Sequence, residues 1–269
     1  MIAFPNAKIN LGLQIVSKRP DGYHNLFSCF YPVGWSDVLE ILPADELRFT
    51  SSGLDIPGEV AGNLCLKAYH LVKNDFDLLP VHIHLHKVIP IGAGLGGGSS
   101  DGAFTLKLLN DLLGLNLSTG QLEGYARRIG SDCAFFIRNQ PVFCFEKGDQ
   151  FEDMGVDLKN YFIVLVNPGI HISTAEAYAG IRPQMPAKEL RTVLLQPIDQ
   201  WKDQVLNDFE KELALKYPPI AQIKENLYRQ GALYASMTGS GSTVYGIFEK
   251  ETDLQALFPG YAVWQGPLN

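Results

Sequence analysis

The sequence predicts a mixed α+β fold, and three observations carry that expectation. Period-2 runs such as Ile9, Leu11, Leu13 and Ile15 read as half-buried strands. Stripes such as Ala103, Leu106, Leu109 and Leu113 read as helix. The two kinds of run alternate along the chain, with no internal repeat or low-complexity tract.

Taken in order, the first strand breaks at the turn sequence Arg19-Pro20-Asp21-Gly22. Strands are expected near 26–33, 37–43 and 46–51, then a helix from Asn63 to about Asn74. A strand at 81–89 runs into a glycine-rich segment at 92–98, and a helix opened by Ser99, Ser100 and Asp101 stops at Gly114. Ser118 and Gln121 form a capping box for a helix ended by Gly130. A strand, a turn and a polar connection follow over 141–160, with a domain boundary near 153. Beyond it come a strand at 161–166, a short helix capped by Ser173 and Glu176, and helices over 199–216 and 219–230. Strands at 232–237, 243–248 and 261–264, with a helix at 252–258, give this second half the pattern of a split βαβ sandwich.

At about 100–200 residues per domain, a chain of 269 residues is one large domain or two modest ones. With 46% hydrophobic residues it can bury a core without a metal or disulfide staple. The net charge of −7 argues against a surface built for nucleic acid or anionic lipid. No run approaches 18 apolar residues, and Pro5, Asn6 and Lys8 interrupt any signal-peptide pattern. Cys29, Cys65, Cys133 and Cys144 are far apart, as expected of reduced thiols in a cytoplasmic protein.

The most informative segment is Pro90-Ile91-Gly92-Ala93-Gly94-Leu95-Gly96-Gly97-Gly98-Ser99-Ser100. Glycines crowded between a strand and a helix N-terminus offer backbone N–H groups without Cβ obstruction, and the helix dipole favours an anion there. A flexible linker would seldom sit between a strong strand and a well-capped helix. Gly92-x-Gly94-x-x-Gly97 also matches the dinucleotide fingerprint, with Asp111 about 20 residues on. Asp111 falls inside the following helix, however, and could not reach a ribose. A Walker A loop needs a lysine where this one continues Gly98-Ser99.

Three further segments are unremarkable singly. Lys8 and Asn10 lie two apart on the first strand and share a face. Asp132, in Gly130-Ser131-Asp132-Cys133, stands at a helix end before an apolar run, where it could simply be a cap. Met237-Thr238-Gly239-Ser240-Gly241-Ser242-Thr243 joins two strands through small residues. His82, His84 and His86 share a strand face, which suits a metal site or, more simply, an exposed surface. Cys133 has no histidine near it in the motif and reads as packing.

Together, the segments around Lys8, the glycine loop, Asp132 and Thr238 resemble those of the GHMP small-molecule kinases, in the family's order from residue 5 to residue 246. Pro5-Asn6-Ala7-Lys8-Ile9-Asn10-Leu11 with Arg19-Pro20-Asp21-Gly22-Tyr23-His24 is similar to the branch that acts on a cytidine-diphosphate ester of methylerythritol. Gly102, Ala134 and Thr238 depart from the pattern, where alanine, proline and serine are commoner.

The resemblance implies a two-domain architecture. An N-terminal, ribosomal-protein-S5-domain-2-like part would occupy 1–152 and a ferredoxin-like part 153–269. It implies transfer of the γ-phosphoryl of ATP to the 2-hydroxyl of the methylerythritol unit, with Mg²⁺ on the phosphates and no protein metal ligand assigned. Lys8 and Asp132 would face the acceptor hydroxyl, and the loop from Pro90 to Ser100 would wrap the triphosphate. Asn63 and Lys87 would contact adenine. Tyr23 and Tyr178 would clamp the cytosine, with His24 reading its edge and Asn10 nearby. The expected partner is the small cytidyl diphosphate substrate, with no nucleic acid and no membrane, in a monomer or weak homodimer. A kinase for another small alcohol and a catalytically silent nucleotide-binding relative stay open.

Overall fold

The computed structural model describes residues 1–268. Along the chain run β1 (Ile2–Ala3), β2 (Asn6–Lys18), β3 (His24–Ser36), β4 (Val38–Pro43), β5 (Arg48–Gly53), α1 (Leu64–Lys73) and β6 (Val81–Lys87). There follow α2 (Gly97–Leu112), α3 (Thr119–Ile129), α4 (Phe135–Arg138), β7 (Val142–Phe145), β8 (Gln150–Asp153), β9 (Phe162–Asn167) and α5 (Thr174–Ala179). The chain finishes with α6 (Leu190–Leu194), α7 (Glu210–Lys216), α8 (Pro218–Arg229), β10 (Tyr234–Met237), β11 (Val244–Phe248) and β12 (Ala262–Pro267).

These elements form two compact units that do not follow chain order. The first comprises Met1–Ala7, Trp35–Ile91 and Gly96–Gln140; the second comprises Lys8–Gly34, Gly92–Leu95 and Pro141–Asn269. A single cut near 153 therefore does not separate them. The reason is that the long strands β2 and β3 belong mostly to the second unit although they come early in the chain.

The first unit has the sheet β1-β4-β6-β5. β4 runs antiparallel to β6, with Leu39 opposite Leu85 and Ile41 opposite Ile83, and these four side chains are buried. Burying each contributes roughly 1.5–3 kcal/mol relative to exposure. α2 packs against α1, α3, α4 and β4. On the other face of β6, Thr50 Oγ1 on the parallel strand β5 lies 2.8 Å from both His82 Nε2 and His84 Nδ1. Ser52 Oγ lies 3.1 Å from His84 Nε2 and 2.9 Å from His86 Nδ1. The three histidines thus form an imidazole–hydroxyl ladder on the sheet surface. Among the described residues no group of three or more His, Cys, Asp or Glu is placed to hold a metal.

The second unit has two sheets, β2-β3-β7-β8 and β10-β11-β9-β12. In the latter, β11 pairs antiparallel with β9 and β10, and β12 with β9. β9 and β10 are thus separated by an inserted antiparallel strand, which is the split βαβ arrangement. α8 lays Ile220, Ile223 and Leu227 against this sheet, a spacing that keeps all three on one face.

Most elements fall where the sequence places them, including the Ser118–Gln121 capping box and the Ser173 cap of α5. Three differ. α2 starts at Gly97 and not at Ser99, because Gly96 takes the N-cap position at φ 69° and its carbonyl accepts the Ser100 N–H at 2.9 Å. The helix expected over 199–216 is reduced to a 3₁₀ turn at Ile198–Gln200 and α7. Between them the backbone pairs with the edge of β2, Leu13 N donating to Leu206 O and Asp208 N to Leu13 O, at 2.9 and 2.8 Å. Tertiary pairing there overrides a helical pattern. The helix expected at 252–258 is a single 3₁₀ turn, Gln255–Leu257; Pro259 pushes Phe258 out of the α region, and Gln265 Oε1 takes the Leu254 N–H. β8, α4 and α6 were not anticipated.

Candidate active site

Lys8 and Asn10 occupy one face of β2, 3% and 2% exposed. Lys8 Nζ donates to Asn10 Oδ1 at 2.5 Å and lies 4.7 Å from the centroid of the Phe30 ring. Asn10 Nδ2 donates to Ser28 Oγ at 2.9 Å, and Tyr245 donates its hydroxyl to Asn10 O at 2.9 Å. Asn10 N donates to Thr238 Oγ1 at 2.9 Å, and Thr238 in turn donates to Gly94 O at 3.1 Å. A buried ammonium is tolerable only with such a set of partners around it. The network therefore fixes the Lys8 side chain in one place.

The same network shapes the first half of the glycine loop. Lys8 N donates to Leu95 O at 2.9 Å and Thr243 N to Ala93 O at 3.3 Å. Gly94 has φ 77°, and a Cβ on it would lie 2.1 Å from Thr238 O. Only glycine fits this approach. In the other unit the loop continues through Gly96, also at positive φ, into the first turn of α2, whose N–H groups lack intrahelical acceptors. Gly98 there is exposed and Ser99 half-buried. Pro90 is half-buried and Ile91 exposed ahead of the loop.

Asp132 sits half-buried in the turn after α3, where Cys133 N donates to Gly130 O at 3.2 Å and Ser131 donates its hydroxyl to Asp132 Oδ1 at 3.2 Å. The Cys133 thiol is pushed up to about 12 by burial, against a smaller opposing pull from the neighbouring Ser99 hydroxyl. Cys133 is accordingly an inert packing group that ties this turn to the start of α2.

The aromatic residues differ in arrangement from the expected clamp. His24 stacks on Tyr178, ring centroids 4.7 Å apart and planes inclined by 19°, and Tyr178 meets Phe209 edge-on at 4.8 Å. Tyr23 is 63% exposed, with Lys147 Nζ 5.3 Å from its ring centroid. The cause is local: the Asp21 carboxylate accepts the Tyr23 N–H and holds Tyr23 in the turn, whereas His24 is the first residue of β3. Burial, and secondarily Lys18, lowers the His24 pKa below its ordinary value, so its ring is neutral at pH 7.

Of the two residues expected at adenine, Asn63 is the N-cap of α1, its Oδ1 accepting Cys65 N at 2.9 Å. Lys87 has another occupation. It is 3% exposed, and its ammonium is shared between Asp37 and Asp101. It follows Val81, Ile83 and Leu85 on the inner face of β6, so it must find counter-charges inside the unit. Lys87 is therefore not presented as an adenine ligand. Sequence reasoning also missed Phe209, hidden in the expected helix, and Asn207, whose Nδ2 donates to Met237 O and Gly239 O at 2.8 and 2.9 Å.

Comparison with known proteins agrees with this reading of the motifs. Family models for the GHMP kinase N-terminal domain and C-terminal region match residues 63–145 and 193–258. The chain is 58% identical over 254 residues to 4-diphosphocytidyl-2-C-methyl-D-erythritol kinase of Cytophaga hutchinsonii, covering 94% of each chain. It is 48% identical over 271 residues to the enzyme of that name from Parabacteroides distasonis, covering 100% of each. A crystal structure of 4-(cytidine 5'-diphospho)-2C-methyl-D-erythritol kinase superposes with a TM-score of 0.85 at 27% identity, covering 99% of this chain and 98% of that one. Homoserine kinase from Cytophaga hutchinsonii shares the fold, with a TM-score of 0.70 at 16% identity over 98% of this chain and 95% of the other. With full-length identities of this size and both family models matched, the chain belongs to the GHMP kinase family, among its 4-diphosphocytidyl-2-C-methyl-D-erythritol kinases.

Proposed function

We propose that the chain transfers the γ-phosphoryl group of ATP to the 2-hydroxyl of 4-diphosphocytidyl-2-C-methyl-D-erythritol. Phosphoryl transfer asks a protein for positioning and charge neutralisation more than for covalent chemistry. The backbone N–H groups between Gly92 and Ser100 cradle the triphosphate, and the Ser99 hydroxyl stands at the start of α2 to assist; the Ser100 hydroxyl, expected to join it, is fully buried. The Asn63 amide, whose oxygen caps α1, offers its Nδ2 to adenine. Asp132 takes or orients the acceptor proton, and Lys8 offsets negative charge as the hydroxyl attacks. A tertiary alcohol is a poor acid, so a base and a fixed cation both serve the reaction.

The observation that carries the substrate assignment is the His24–Tyr178 pair. A stacked, partly exposed aromatic surface beside a neutral imidazole suits a pyrimidine, whose face stacks and whose edge carries donors and acceptors. Kinases for small aliphatic alcohols have no use for it.

Mg²⁺ bound to the triphosphate would neutralise phosphate charge. The net charge of −7 supports a partner list of small molecules without nucleic acid, and four buried free cysteines suit the cytoplasm. No described helix is long and apolar enough to cross a membrane. The chain would act as a monomer or weak homodimer.

Phosphorus NMR of the product tests the regiochemistry. A phosphate on the tertiary carbon has no proton three bonds from phosphorus, so its resonance should be an unsplit singlet. A doublet or triplet would place the phosphate on a secondary or primary hydroxyl and overturn the proposal.

A further inference from the structure

Beneath the first turn of α2 lies a buried cluster that the phosphoryl-transfer scheme leaves unused. Lys87 Nζ donates to Asp37 Oδ2 and, at 2.7 Å, to Asp101 Oδ2. Exposure of the three side chains does not exceed 4%. One ammonium facing two carboxylates leaves a net charge of −1 if both are ionised, a costly state away from water.

The two carboxylates are not equivalent. Asp37 Oδ1 accepts the Val88 and Ile89 N–H groups at 2.6 and 2.8 Å, so with Lys87 it has three hydrogen-bond donors. Asp101 has Lys87 on one oxygen, while its Oδ1 is buried with no hydrogen-bond partner. The neighbouring Ser100 Oγ is in the same position. A proton entering the cluster goes to Asp101. Burial is the largest influence on that carboxyl and pushes it up to about 7, against the pull of Lys87; the Asp37 charge adds to the push. The other titratable group facing the cluster is Cys65 on α1, whose thiol burial holds well above its ordinary range, so it stays neutral.

The cluster also sits where a bound triphosphate would be felt. A Cβ on Gly97, the first residue of α2, would lie 3.0 Å from Lys87 Nζ, and Asp101 is four residues further along the same helix. Several negative charges arriving at the helix N-terminus favour the protonated form of a nearby carboxyl.

We propose that Asp101 is a proton-linked positioning residue: binding of the nucleotide triphosphate at the glycine loop is coupled to uptake of one proton from solvent by Asp101. The proton turns a cluster of charge −1 into a neutral one under the phosphates. The proposal rests on the glycine loop being the triphosphate site, and its test separates the two. ATP affinity is measured by calorimetry from pH 6.5 to 8.5, without acceptor, for the wild type and Asp101→Asn. Asparagine imitates the protonated acid in shape and charge.

The wild-type affinity should weaken by about five- to tenfold between pH 7 and 8.5, the range in which linked proton uptake becomes unfavourable. Asp101→Asn should bind as tightly as the wild type does at pH 6.5 and change less than about twofold across the range. A merely structural Asp101 would instead give a variant that binds ATP more weakly at every pH, with a curve parallel to the wild type. That result overturns the proposal. Should the variant not fold, wild-type binding enthalpies at pH 7.5 in phosphate and in Tris report the proton directly. Uptake supports the proposal, and equal enthalpies after correction for ATP ionisation overturn it. Gly96→Val checks the loop itself: unchanged ATP affinity there would remove the loop reading and this inference together. A loss in Gly96→Val with parallel pH curves would remove the inference alone.

Discussion

His24 rests on Tyr178 with their rings nearly parallel and 4.7 Å apart, and Phe209 meets Tyr178 edge-on at 4.8 Å. A cytosine ring that takes the imidazole's place on Tyr178 gains the same kind of stack and leaves the His24 nitrogens to meet its edge. Tyr178→Ala should therefore raise KM for the cytidyl substrate by about 10–100-fold, as expected for one lost base–aromatic stack, with ATP's KM unmoved. Tyr23→Ala, which removes an exposed ring, should have the smaller effect. Initial rates against each substrate decide this; equal rises in both KM values would show a general loss of folding instead.

Base identity must be read by hydrogen bonds, since stacking tolerates any pyrimidine. Replacing the cytosine amino group by oxygen turns a donor into an acceptor and leaves a partner unpaired, at about 1–3 kcal/mol. The uridine analogue should be used at least about fivefold less well by the wild type, and His24→Ala should shrink that preference. Equal use of both analogues by the wild type would mean that His24 does not read the base.

The protonation state of His24 gives this a pH signature. Because burial lowers its pKa, the folded protein prefers the neutral ring. The unfolded chain then binds the proton more tightly, so any stability His24 contributes is present above its unfolded pKa and fades as pH falls through the ordinary histidine range. KM for the cytidyl substrate should be level between pH 7 and 8 and rise once pH falls beneath the ordinary histidine range, as the imidazole loses its acceptor nitrogen. His24→Gln should level the acid limb. An unchanged acid limb in that variant would assign it to another group.

At the reacting end, Asp132→Asn should cut turnover by about 10²–10⁴ while leaving ATP binding within a few-fold. Lys8→Met should also damage turnover, and the double variant should be less impaired than the product of the singles, because both groups serve one proton transfer. Multiplicative losses would argue that they act separately.

The cysteines supply a control on the fold. All four are buried, and burial pushes the Cys29 and Cys133 thiols up to about 12. The thiolate is the reactive form, so iodoacetamide at pH 8 should label none of them in the folded protein and all four in urea. Rapid labelling of Cys133 in the folded protein would contradict its role as packing beside Asp132.

What the sequence disclosed was mainly local. The Ser118 capping box and the Ser173 cap are set by residues a few positions apart and appear as expected, whereas β2 is buried on both faces from Ala7 to Ile15 despite its alternating apolar and polar residues. The segment from Trp201 to Phe209 was misread, because its backbone partner, Leu13, lies nearly two hundred residues away and nothing local announces it. The same misreading concealed Phe209. Lys87 is a different case. The alternation Val81, Ile83, Leu85, Lys87 puts it on the inner face of β6, so its need for buried carboxylates is legible in the sequence itself. The motif marks Thr238, but only the structure shows that its one hydroxyl serves both β2 and the glycine loop.

The central claim is that this kinase acts on the cytidyl ester of methylerythritol and on no simpler alcohol. An assay coupling ADP release to NADH oxidation, run with 4-diphosphocytidyl-2-C-methyl-D-erythritol, homoserine, mevalonate and galactose in turn, addresses it directly. ATP-dependent turnover is expected with the cytidyl substrate alone. Turnover with homoserine, mevalonate or galactose, and none with the cytidyl substrate, would contradict it.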